Sequence, residues 1–234
     1  MMKKSSKTNL YISLLLWIAF IIYTVSVKFI DVATIGNKLS PVGFSSLNQV
    51  FFDLFSKVKY DGPSADFKFR EINYNISEIL GYVAILVAVF FVFVGFVQLI
   101  KYKNFKQIDK NIYALGGFYA VVMFFYALFE VVVVNYRPLL DANTGELEAS
   151  YPSSHTILTL CILTSALIVL RYIFKNLSKT LYIITSVVFF AVMVITVATR
   201  LMSGVHWFTD ILGGVLLSIA LLMSFKTVID KINK

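Results

Sequence analysis

The chain has 234 residues, 59% of them hydrophobic and 15% charged, whereas a soluble domain is nearer ~45–50% apolar and ~25% charged. One water-facing globule cannot hide that much apolar surface, so the sequence reads as a membrane protein. The net charge of +8 does not argue for a nucleic-acid partner, because the basic residues sit in short clusters between apolar runs, a pattern of membrane topology.

A helix needs about 20 apolar residues to cross a ~30 Å hydrocarbon core. Six segments qualify, near 9–29, 79–100, 112–134, 155–174, 180–199 and 206–225. The first follows Lys3, Lys4 and Lys7, as the apolar core of a secretory signal would. Its run of about twenty residues is too long for such a core, and no small-residue cleavage site follows, so it is predicted to be a retained anchor. Next comes a long loop, 30–78. Within it Phe44, Leu47, Val50, Phe51, Leu54 and Phe55 recur every three or four residues, which predicts an amphipathic helix over 45–57. Ser45 or Ser46 would cap it, with Asn48, Gln49, Asp53 and Lys57 on the opposite face. Such a helix lies on the membrane interface or packs over the span ends, and the periodicity admits both. Segment 58–77 has turn residues and no clear period, so it is predicted to be loop. No internal repeat or linker breaks the chain, which reads as one all-α membrane domain, 1–234. Cys161, the lone cysteine, lies in the fourth span and permits no internal disulfide.

Six spans place both termini on one side. That side carries Lys3, Lys4, Lys7, Lys101, Lys103, Lys106, Lys110, Arg171, Lys175, Lys179, Lys226, Lys231 and Lys234, thirteen of the 21 basic residues. The other side has a mixed loop at 30–78 and an acidic one with Asp141, Glu146 and Glu148. The positive-inside rule therefore predicts a plasma-membrane protein with cytoplasmic termini and with loops 30–78, 135–154 and 200–205 facing outward.

Unusual polar residues gather at the outward ends of the spans. Arg137-Pro138 follow the third, Pro152-Ser153-Ser154-His155 open the fourth, Arg200 ends the fifth, and His206 and Asp210 open the sixth. Ionisable groups at that depth are costly and are functional candidates by default. Arg137 and Arg200 offer planar forks that match phosphate oxygens. Ser153 or Ser154 sits at a helix start, where free N–H groups bind anions. Four residues apart, His206 and Asp210 are neighbours on a helix. The carboxylate then accepts the Nδ1 proton and leaves Nε2 as nucleophile or base, with His155 as general acid. Taken singly, each residue has a plainer reading. Arginines anchor at interfaces, membrane histidines bond to other helices, and His206 with Asp210 and Glu130 or Asp141 is a possible metal set. Two arginines beside that set would repel a cation, and the chain's only two histidines both fall in these short segments.

The ordered set Arg137-Pro138, Pro152-Ser153-Ser154-His155 and Arg200 with His206 and Asp210 resembles the three-part signature of the type 2 phosphatidic acid phosphatase superfamily. It is most similar to the bacterial integral-membrane lipid phosphatases. The resemblance implies that His206 attacks phosphorus to form a phosphohistidine, Asp210 orients it, and His155 protonates the leaving group and then activates water. It implies that Arg137, Arg200 and the backbone at Ser153 and Ser154 hold the phosphoryl oxygens, with no metal or other cofactor. The expected substrate is a lipid phosphate or pyrophosphate: undecaprenyl pyrophosphate, phosphatidylglycerol phosphate or phosphatidic acid. The alternatives are a phosphotransferase and a catalytically weak lipid-binding or transport protein. Three positions depart from the signature. Ser154 replaces a glycine, Thr199 replaces a serine, and Glu130 stands where the family has a phosphate-binding lysine. Glu130 would pair with Arg137 or Arg200, be held protonated by burial, or meet a cationic or hydroxyl part of the substrate.

Overall fold

The computed structural model describes residues 2–36, 40–56, 67–139 and 146–234. Among them seven α-helices follow in order: α1 (Met2–Phe29), α2 (Ser45–Phe55), α3 (Phe67–Tyr102), α4 (Lys110–Val131), α5 (Ser154–Ile173), α6 (Lys179–Met202) and α7 (Phe208–Ile232). All but α2 are long and apolar enough to span a bilayer, so the protein is a multi-pass membrane bundle. Two short strands, β1 (Ala33–Thr34) and β2 (Pro41–Val42), pair antiparallel between α1 and α2.

At the centre stand α5 and α7, where half of each apolar stretch is buried, against 6–17% in the other spans. Small residues let them approach. A side chain at Gly213 would run into the Tyr151 ring, and one at Gly214 would meet the Ser153 carbonyl at 3.1 Å, as expected where membrane helices pack closely. Along α7 runs α1, joined to it by Asn9 donating to Asp230 (2.9 Å), Trp17 donating to Ser224 (3.0 Å) and Tyr23 donating to the Thr209 carbonyl (3.1 Å). Side-chain caps start α4 and α6: Asp109 accepts from the Asn111 N–H, and Ser178 from that of Leu181.

Two expectations need correction. The segment predicted as loop is partly helix. Residues 67–77 form the first turns of α3, while 57–66 lie outside the described residues. With 36 residues, α3 runs about 54 Å, well beyond a ~30 Å core. Its extra turns follow tertiary partners rather than an apolar period: Arg70 donates to the Ser203 carbonyl at 3.1 Å, tying α3 to the end of α6.

The second correction concerns α2. It forms where the periodicity predicts, but Asn48, expected on the polar face, and Phe51, expected on the apolar one, both pack inward. Asn48 is buried, donating to Gly43 O and Thr209 Oγ1 (both 2.9 Å) and accepting from the Thr209 N–H at 3.1 Å. Phe52 packs on Trp207, and Phe51 stacks on Phe208 with centroids 3.8 Å apart. Leu47, Val50 and Leu54 face away from the protein. The helix is thus both packed over the span ends and apolar on its outer side. Its cap comes from outside as well. The Asp31 carboxylate accepts from the Ser46 N–H (2.8 Å) and the Ser45 hydroxyl (3.0 Å), and the Ser46 N–H above all holds that carboxyl below its usual range.

Candidate active site

The segments after α4 and before α5 build one wall of the site. A short antiparallel bridge joins Tyr136 and Ala149. The Arg137 N–H donates to the Glu148 carbonyl (3.0 Å) and the Ser150 N–H to that of Asn135 (2.9 Å). This pairing sets Asn135, Arg137 and Ser150 side by side. Arg137 makes an ion pair with Glu148 at 2.5 Å.

Ser150 changes how the predicted histidine–carboxylate pair works. His206 lies in the turn before α7, not on the helix, and its Nδ1 is 3.9 Å from the Asp210 carboxylate. That is too long for a hydrogen bond. Ser150 fills the gap. Its hydroxyl donates to Asp210 Oδ2 at 2.5 Å and lies 3.1 Å from His206 Nδ1. Because Ser150 spends its proton on the carboxylate, Nδ1–H of His206 must donate to the Ser150 oxygen, which leaves Nε2 with its lone pair. Asp210 is held by two more donors, the Trp207 N–H (2.9 Å) and the Asn135 amide (3.3 Å). All four of Asn135, Ser150, His206 and Asp210 are buried. His206 Nε2 has no hydrogen-bond partner among the described residues. The His206 residue borders a cleft with Glu130, Arg137, Ser150, Tyr151 and Ser154. Burial holds the His206 pKa well below the usual value, helped by the positive charges of Arg200 and Arg137 and by His155. Its resting form is therefore the neutral imidazole, the form that carries a lone pair.

Two further candidates, Arg200 and His155, meet beside α3. Arg200, at the end of α6, donates from one nitrogen to Ser77 Oγ (3.1 Å) and Glu78 Oε1 (3.0 Å), and from another to His155 Nδ1 (2.6 Å). His155 Nε2 lies 3.0 Å from the same Glu78 oxygen. Tyr74 places its ring 5.3 Å from the Arg200 guanidinium, and a side chain at Gly81 would sit 3.1 Å from the His155 ring. Residues 74, 77, 78 and 81 share one helical face, so α3 is a wall of the site.

Two of the predicted anion ligands differ in what they can offer. The Ser153 N–H is already spent on the Asp210 carbonyl at 3.0 Å, and its hydroxyl accepts from Thr156. It takes the N-cap position of α5 without a side-chain cap bond. Ser154, the first residue of α5, lines the cleft and keeps the anion-binding position of a helix start. Glu130 lines the cleft too, with its side chain exposed on the last turn of α4. Asp141, a possible metal ligand by sequence, lies outside the described residues. Among the described residues, no three of His, Cys, Asp and Glu are grouped to hold a metal ion.

Ser150, Asn135 and Glu78 escape the sequence reading. The first two sit two residues from Pro152 and Arg137, but nothing local marks them. Glu78 carried a signal, since it is a carboxylate at the depth of the other charged groups, one residue outside the predicted span 79–100.

The sequence model of the PAP2 superfamily matches residues 83–234. Among solved structures, the fold is similar to that of a transmembrane PAP2 type phosphatidylglycerolphosphate phosphatase from Bacillus subtilis. The TM-score is 0.63 at 17% identity, covering 94% of this chain and 96% of that one. No curated protein matches the sequence.

Proposed function

The chain belongs to the PAP2 superfamily of phosphatases, and we propose that it hydrolyses a lipid phosphate or pyrophosphate at the outer membrane face through a phosphohistidine on His206. The observation that carries this is the buried, neutral His206, whose Nε2 has no partner among the described residues and whose side chain borders a cleft with Arg137 and the start of α5. In the first step Nε2 attacks phosphorus, the bond to the leaving oxygen breaks, and His155 gives that oxygen a proton. In the second, His155 takes a proton from water, water attacks phosphorus, and phosphate leaves His206. The developing imidazolium is stabilised by Asp210 through Ser150. Arg137, Arg200 and the Ser154 N–H neutralise the phosphoryl oxygens, which is usually the largest single catalytic term. The outward orientation rests on the thirteen basic residues at the opposite end of the spans.

The test is phosphate release by purified protein from undecaprenyl pyrophosphate, phosphatidylglycerol phosphate and phosphatidic acid. Release from at least one is expected, and none from any, with folded protein, overturns the reading. Mass spectrometry of the products separates hydrolysis from transfer to an acceptor lipid. Glu130→Lys replaces a negative charge in the cleft with a positive one. At an exposed position the gain in substrate binding is that of a screened ion pair, so KM should fall by up to about fivefold. An increase in KM for one lipid alone would mean that Glu130 reads part of its headgroup.

The protonation state of His206 is open to measurement. Its pKa lies below the ordinary 6.5, so protonation, and with it loss of the nucleophile, begins only as pH falls past that depressed value. Nitrogen-15 spectra, assigned with a His206→Ala variant, should show a neutral Nδ1–H imidazole at pH 6.5. Half-protonation at that pH would contradict the buried environment.

A further inference from the structure

We propose that Glu78 sets the substrate class of this site by competing for it: a dianionic phosphate, as monoester or pyrophosphate, displaces its carboxylate, and a monoanionic phosphodiester does not. The proposal rests on the phosphatase reading above. One oxygen of Glu78 lies 3.0 Å from both Arg200 and His155 Nε2. Those are the group that would neutralise a phosphoryl oxygen and the group that would protonate the leaving one. The carboxylate thus stands where a substrate oxygen has to arrive, and a phosphate reaching Arg200 and His155 meets Glu78 there first.

The strength of the hold decides what can replace it. Arg137 is also held by a carboxylate, but that pair is open to water, with side chains 28% and 41% exposed, and exposed pairs are weak. At the Glu78 contact Arg200 is 1% exposed and Glu78 23%, so the attraction is less screened. Coulomb energy scales with charge. A dianion therefore outbids a single carboxylate for Arg200, and a diester with one negative charge gains nothing over it. A diester also carries an esterified arm where the monoester has a free oxygen. The distinction matters in this setting, because phosphodiester lipids are the bulk of the bilayer around the protein. A pair of arginines at headgroup depth would otherwise be filled by them.

The face of α3 that carries Glu78 fits this role. Ser77 accepts from Arg200 independently of Glu78, so the guanidinium keeps a partner when the carboxylate leaves. Gly81 leaves the His155 ring its space one turn further along.

The experiment compares wild type with Glu78→Gln and Glu78→Asp as full-length protein in mixed micelles. Orthovanadate binding by calorimetry, at a pH above its second ionisation so that the ion is a dianion, needs no turnover. It should tighten by about tenfold in Glu78→Gln, the loss of one charge-assisted hydrogen bond from the competitor, and hold near wild type in Glu78→Asp. In the second arm phosphatidic acid is the substrate, and neutral detergent is replaced by phosphatidylglycerol at fixed substrate mole fraction. Wild type should be indifferent to the exchange relative to Glu78→Gln, which should lose activity several-fold. Unchanged or weaker vanadate binding in Glu78→Gln, or a fall in kcat with KM and lipid tolerance unaltered, overturns the proposal and makes Glu78 an orienting partner of His155. Glu78→Ala, with the same expected direction, stands in if the glutamine variant does not fold. Absence of phosphate release by wild type would instead sink the phosphatase reading, while the vanadate arm still reports on Glu78.

Discussion

His206→Ala should lower phosphate release by about 10⁴-fold or more, the scale on which removal of a covalent nucleophile is felt. The protein should still fold. His206 contributes one hydrogen bond, to Ser150, and its loss costs about 1 kcal/mol. The direct readout is the covalent intermediate. Brief reaction with labelled substrate should leave acid-labile, base-stable phosphate on wild type and none on His206→Ala. In His155→Ala the label should form slowly and, once formed, decay slowly, because the group that protonates the leaving oxygen and then activates water is gone. Turnover near the wild-type rate in His206→Ala would remove His206 as nucleophile.

The second large effect is expected at Asp210 and at the serine that carries its influence. Asp210→Asn keeps the shape of the side chain and removes the charge that stabilises the developing imidazolium. Loss of the carboxylate from a histidine pair elsewhere costs about 10⁴ in kcat, and a comparable fall is expected here. Ser150→Ala leaves the carboxylate in place and cuts the link, since 3.9 Å separates Nδ1 from Asp210. Its kcat should fall by about 10²-fold, the contribution of a positioned proton-transfer partner. Asp210→Ala should also destabilise the protein. It strands the Ser150, Trp207 and Asn135 donors at about 1–3 kcal/mol each, less whatever they recover from one another. Kinetics and thermal unfolding on the three variants separate the relay from the fold. Wild-type kcat in Ser150→Ala would mean that Asp210 acts on His206 without it.

The spans, and the set of residues proposed as the site, were legible because both are written locally. An apolar run of twenty residues has one use in a membrane, and the Arg137, His155, Arg200, His206 and Asp210 set is fixed in order and spacing. What escaped depends on partners distant in the chain. The first turns of α3 have no apolar stripe, and they are helical beside α5 and α6 for reasons that residues 67–77 do not carry. Glu78 lay at the edge of that misread segment. Ser150 is one serine among many until the bridge between Tyr136 and Ala149 sets it under His206. In α2 the period was legible and the burial of Asn48 was not, because Asn48 meets three polar partners on α7 and in the turn before α2. Ser153 was read as a free donor. The neighbouring helix claims its N–H instead, through a backbone carbonyl that no side-chain motif encodes.

The groups proposed to react all stand at the ends of spans: His155 at the first turn of α5, Arg200 near the last residue of α6, and His206 just before α7. That height has a consequence for the molecule being cut. Drawing an acyl chain out of a bilayer costs about 0.8 kcal/mol per methylene, so lifting ten of them would cost about 8 kcal/mol. A phosphate that reacts in the headgroup layer leaves its tails where they were. The product then diffuses away sideways, still dissolved in the membrane, and the freed phosphate departs into water.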